Sequence, residues 1–162
     1  MRTWAQLAAW GAVALCLSAC GFRLQGHAAL PAVVKTPYVE APDRQSDFVQ
    51  SLRHELLSNG AQLVPEKGKS SAVISVLQDQ MIRRVVSVSA ANQPNQYEIT
   101  YTVRVSVTAG DKELLPAQDV IETRTYSFSE PLLLAKGHEE DVLREDMARD
   151  LADRVMRLLS RL

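Results

Sequence analysis

Between Tyr97 and Thr108 the chain alternates without a slip. Tyr97, Ile99, Tyr101, Val103, Val105 and Val107 point one way, and Glu98, Thr100, Thr102, Arg104, Ser106 and Thr108 point the other. A period of two puts one set on each face of a strand, so this segment demands a sheet with one apolar face to cover and one polar face to leave wet. An all-helical fold is excluded, and the rest of the chain must supply something to lie on the apolar side.

Two segments have the right stripe for that. From Asp43 to Gly60, Phe48, Leu52 and Leu56 recur every four residues with Val49 and Leu57 beside them, which predicts an amphipathic helix. Asp43 or Ser46 can cap its start, and Asn59-Gly60 suits a left-handed stop. From Glu139 to Leu162 a second helix shows Leu143, Met147, Leu151, Val155, Leu158 and Leu162 on one stripe. Its other side carries Glu145, Asp146, Arg149, Asp153, Arg157 and Ser160, interrupted only by Val142 and Met156. Glu139, Glu140 and Asp141 open it and Arg154, Arg157 and Arg161 close it, as the helix dipole favours.

The remaining strands follow from composition and turns. Thr36 to Glu40 is a short run containing Pro37 and followed by Pro42, which suits a strand start or an edge. Ala72 to Ser89 is rich in valine and isoleucine and long for one strand, so a bulge or bend is expected near Gln78 to Met81. Asn92-Gln93-Pro94-Asn95 and Ala109-Gly110-Asp111 mark turns, and Asp119 to Ser129 supplies the last strand. The order β-α-β-β-β-α predicts an α+β fold with two helices packed on one face of a four-stranded sheet. The last three strands form an antiparallel meander; the strand after the first helix can lie beside the first strand, which makes the sheet mixed.

The amino terminus reads as an export signal. Arg2 is the only charge before an apolar run through Leu17, too short to span a bilayer, and small residues Ser18 and Ala19 precede Cys20. This looks like a lipobox. A thiol there is acylated through sulfur, and after cleavage its freed amine is acylated too, palmitate-like chains together giving durable anchoring where one alone is marginal. The expected organisation is a cleaved signal over 1–19, a lipidated tether over 20–35 and a single domain over 36–162.

Loss of that signal takes 18 bases against 19 acids to 17 against 19, a formal charge of −2. A net basic domain or stripe, the footprint of a nucleic-acid binder, is missing. Of the two cysteines, Cys16 leaves with the signal and Cys20 is consumed by lipid, so no disulfide, zinc site or thiol nucleophile is expected. Gly68-Lys69-Ser70 resembles the end of a phosphate loop, but Leu63 stands where its first glycine belongs. His27, His54 and His138 have no ligand spacing, and His54-Glu55 lacks a histidine at Ser58. With no Gly-x-Ser-x-Gly elbow and with the acids spread over solvated helix faces, no enzyme, metal or cofactor is expected.

Cys20-Gly21-Phe22-Arg23-Leu24, the strand opening Gln96-Tyr97-Glu98-Ile99, and Leu134-Ala135-Lys136 followed by Glu140-Asp141 resemble the corresponding segments of the LptE family. These are the lipopolysaccharide-assembly lipoproteins of Gram-negative outer membranes. The resemblance spans the mature chain and implies two helices on a four-stranded sheet. It implies an outer-membrane, periplasm-facing lipoprotein that plugs the lumen of the β-barrel LptD as a heterodimer, helping the barrel assemble and place lipopolysaccharide in the outer leaflet. The polar face of the sheet suits a polar lumen, and Gly21 after the lipidated cysteine fits outer-membrane sorting. The family binds lipopolysaccharide through basic residues, and Lys136 matches one, placed in a loop before the second helix. A second basic position falls near Ala91, where this chain has no base; Arg83 or Arg84, adjacent and therefore on opposite faces of a strand, can substitute, the other serving a salt bridge or meeting solvent. The alternative is a free-standing glycolipid-binding lipoprotein, which calls for an enclosed apolar cavity.

Overall fold

The computed structural model describes residues 30–90, 92–127 and 133–162, without the side chains of 133–139. Cys20 and Ala91 therefore lie outside the described residues. The strands are β1 (Pro37–Glu40), β2 (Ala72–Val88), β3 (Pro94–Ala109) and β4 (Lys112–Ser127), and the helices α1 (Asp47–Ser58) and α2 (Leu133–Leu159). They form one mixed sheet in the order β1-β2-β3-β4, with β1 parallel to β2 and the other neighbours antiparallel. The α+β arrangement of two helices on a four-stranded sheet is the one expected.

β3 is central and buries its apolar set as its alternation demands: Ile99, Val103, Val105 and Val107 are fully covered and Tyr101 is 4% exposed. Phe48, Val49, Leu52 and Leu56 of α1 and Met147, Leu151, Val155 and Leu159 of α2 meet them in one continuous core. Ala148, Ala152 and Met156 belong to that core as well. Met156 was expected on the wet side of its helix; instead it is 3% exposed, because α2 packs against both α1 and the sheet and needs a wide apolar face. Leu30 and Val34 are buried in the same cluster, so packed structure extends upstream of the domain start anticipated at 36.

α1 begins where Ser46 Oγ accepts the Val49 N–H, so Ser46 and not Asp43 is the cap. It stops at Gly60, whose φ of +83° is the left-handed geometry anticipated. α2 starts at Leu133, ahead of the expected Glu139, so the Lys136 backbone is helical and does not lie in a preceding loop.

β4 is longer than expected, because Lys112 to Gln118 breaks the alternation with Leu114 beside Leu115 and holds Pro116. An edge strand tolerates both, since it gives the proline nitrogen no ladder bond to break. Two register shifts against β3, between Thr108 and Val105, each leave one extra residue on β4 around that proline. On β2 the bulge lies at Leu77, next to the anticipated span, with another at Val86; both side chains are exposed. β1 pairs only with Ala72 to Ser75, and its far side is covered by residues 62–64 through Gln62 N–H to Lys35 C=O at 2.7 Å and Val64 N–H to Pro37 C=O at 3.1 Å. No helix among the described residues is long and apolar enough to cross a membrane.

Candidate functional site

The β2–β3 hairpin runs far past β1, and its outer half carries the expected basic residues. Arg83 pairs with Ile99 and Arg84 with Glu98, so the two arginines do face opposite ways. On the open face Arg84 forms a cross-strand ion pair with Glu98 at 2.7 Å. On the helix side Arg83 Nη1 donates to Glu140 Oε2 of α2 at 2.9 Å and its guanidinium lies 5.0 Å from the centre of the Tyr97 ring. Tyr97 stacks on Tyr126 across the β3–β4 ladder, with centroids 5.6 Å apart and planes at 22°. Tyr126 Oη donates to the same Glu140 oxygen at 3.2 Å.

This aromatic and ionic junction ties the extended hairpin to the start of α2. Contact with the Tyr126 hydroxyl, then the Glu140 charge, holds the Arg83 guanidinium above its ordinary value, while burial pushes the Tyr126 hydroxyl up. Sequence reading missed the junction as a unit. Tyr97 meets Tyr126 only after the two shifts on β4, and Arg83 and Glu140 are 57 residues apart.

Lys136 precedes Glu140 by one turn, so the two Cα atoms lie on the same side of α2, about 6 Å apart along its axis. The fold thus brings Lys136 and Arg83 to one end of the molecule and leaves Arg84 on the far face of the sheet. Beside the junction, the edge of β4 and α2 enclose a groove of about 370 Å³ lined by Arg124, Tyr126, Glu140, Val142 and Leu143, among others.

The opposite sheet face is a different surface. Thr100 is flanked by Ile82 and Thr123, Thr102 by Gln80 and Ile121, and Arg104 by Gln78 and Asp119. Arg104 holds Asp119 with two hydrogen bonds of 2.6 and 2.9 Å, and that guanidinium keeps the Asp119 carboxyl below its usual range. No described helix covers this face; Ile82 and Ile121 stand 55% and 48% exposed among its polar neighbours. The LptE family model, described as lipopolysaccharide-assembly, matches residues 34–159.

The chain belongs to the LptE family. It is similar to the LPS-assembly lipoprotein LptE of Pectobacterium atrosepticum, at 26% identity over 151 residues that cover 92% of this chain and 81% of that one. The protein of the same name from Photorhabdus laumondii is 25% identical over 150 residues, with the same coverage. Among solved structures, lipoprotein B of Nitrosomonas europaea superposes with a TM-score of 0.71 at 27% identity, covering 86% of this chain and 90% of that one. Rare lipoprotein B of Shewanella oneidensis shares the fold at 22% identity and a TM-score of 0.68, covering 77% and 93%. The LptE relatives bear the name of an assembly lipoprotein and not of an enzyme.

Proposed function

We propose that this LptE-family lipoprotein acts in lipopolysaccharide assembly as the plug and assembly factor of an LptD-type outer-membrane barrel. Acylated Cys20 anchors it to the periplasmic leaflet, and the folded domain enters the barrel lumen as one half of a heterodimer. There it helps lipopolysaccharide reach the outer leaflet. The observation that carries this reading is the open sheet face, a mostly polar surface the length of β3 in a chain whose family is named for assembly. Its hydroxyls, amides and the Arg104–Asp119 pair match a wet barrel interior, and Ile82 and Ile121 give it two apolar anchors.

Lys136 is the proposed contact for a lipid A phosphate, which an ammonium recognises as a point charge. Arg83 supports it from behind through Glu140, and the Arg83–Glu140–Tyr126 junction fixes where that turn of α2 stands. Arg84, on the other face, is assigned to the barrel side. A photo-activated cross-linking residue at Thr102 tests the reading. It should capture a large outer-membrane β-barrel in living cells, and absence of any such adduct would overturn the assignment of this face.

A further inference from the structure

A second basic feature lies far along the sheet from the junction, beside β1. There Tyr38, Arg44, Arg53, Leu63, Val64 and Pro65 line a cleft of about 200 Å³ that contains no carboxylate. We propose that this cleft is a phosphate-binding site, with Arg44 and Arg53 gripping the oxyanion and Leu63, Val64 and Pro65 accommodating the carbon it is esterified to.

The charge balance is the first argument. Arg83, Arg84, Arg104, Arg124, Arg144, Arg149 and Arg154 are each paired with an acid, and Arg157 and Arg161, which pair with none among the described residues, stand at the carboxyl end of α2, where the helix dipole favours a cation. In contrast, Arg44 donates only to the Tyr38 hydroxyl, at 2.6 Å, and Arg53 makes no hydrogen bond or ion pair among the described residues. The acid next to Arg44 makes no ion pair with it: Asp43 Oδ1 accepts the Gln45 N–H at 2.8 Å within its own loop. Two guanidinium groups without an acid on one concave surface turn several N–H donors to solvent, where an oxyanion can take the place of water.

Preorganisation is the second. Arg44 is positioned by its bond to the Tyr38 hydroxyl, with the guanidinium carbon 5.8 Å from the centre of that ring. Arg53 projects from the middle of α1, and the wall at 62–64 is pinned to β1 by its two backbone bonds. Size suits a small head: the cleft, at about 200 Å³, is smaller than the roughly 300 Å³ at which drug-sized sites begin and has room for a phosphate and its ester carbon. A phosphate ester can come from a phospholipid headgroup or from a free solute, and the recognising chemistry is the same.

Full-length protein in nonionic detergent, titrated with inorganic phosphate at constant ionic strength, tests this directly. Saturable binding read from the arginine side-chain NMR signals is expected, and Arg44→Gln or Arg53→Gln should each weaken it by about tenfold or more. Arg149→Gln, which removes an arginine paired with Asp146, should leave it unchanged. Thermal melts check that each variant stays folded. Displacement of the bound inorganic phosphate by phosphatidic acid or by free glycerol 3-phosphate, both in the same detergent, then identifies the source. Stronger displacement by the lipid supports a headgroup, and displacement by the soluble ester that is at least as strong supports a free ester. Unsaturable signals, or binding that survives both substitutions, would overturn the proposal. Because Arg83 and Lys136 take no part, failure here would leave the assembly role standing.

Discussion

Tyr101 shows how one side chain can report on the packing of the whole helix layer. Its hydroxyl is buried between β3 and α1; burial pushes its ionisation up well past the ordinary value of 10.0, and the nearby Asp79 carboxylate adds to the shift. A raised acid ionises first in the unfolded chain. Stability from the neutral hydroxyl is therefore full below pH 10.0 and is lost as pH climbs from there toward the folded value. Thermal melts across the alkaline range should show that decline, with a smaller slope in Tyr101→Phe; the residual slope belongs to Tyr126, also raised by burial. Identical slopes would show that Tyr101 ionises freely in the folded state. Lys136 makes a second residue-scale prediction. The first turn of α2 holds no acid, so Lys136→Asp improves the match to the helix dipole and should keep the fold intact. If Lys136 meets lipid A phosphate, lipopolysaccharide binding by the purified complex should weaken while barrel association persists, and undiminished binding would reduce it to a solvated lysine.

Among the elements, α1 is defined at both ends by single residues. Ser46→Ala removes the acceptor for the Val49 N–H and should lower unfolding stability by about 1 kcal/mol in urea titration. An unchanged midpoint would mean that tertiary packing alone sets the helix start. Leu151→Ala in the middle of α2, where the side chain is fully buried, should cost about 2–5 kcal/mol by the same measurement. The elements whose apolar residues keep a clean period were legible in the sequence: α1, β3, and the Leu143-to-Leu158 stretch of α2 all stand where their spacing put them. Where competing physics intervened, legibility fell. Pro116 and the broken alternation at Leu114-Leu115 hid the first half of β4, because propensity does not anticipate an edge strand that bulges around a proline. Arginines on opposite faces of β2 were readable from a period of two, as was a salt bridge. The Tyr97–Tyr126 stack and the Arg83–Glu140 bond were not, since both depend on register shifts and long-range packing that no local pattern encodes.

At the scale of the whole molecule, the asymmetry of the sheet organises everything else. Both helices take one face, ion pairs such as Arg144 to Asp47 at 2.5 Å and Arg154 to Glu122 lock them together and to β4, and the other face is left mostly polar. In the proposed function, that polar side is the surface that works against the wall of the barrel. The most direct test of that claim is gentle detergent extraction of outer membranes followed by size separation and quantification of the recovered partners. A one-to-one complex with a large β-barrel is the result this account predicts, and recovery of the lipoprotein as a free monomer from membranes that contain the barrel would contradict it.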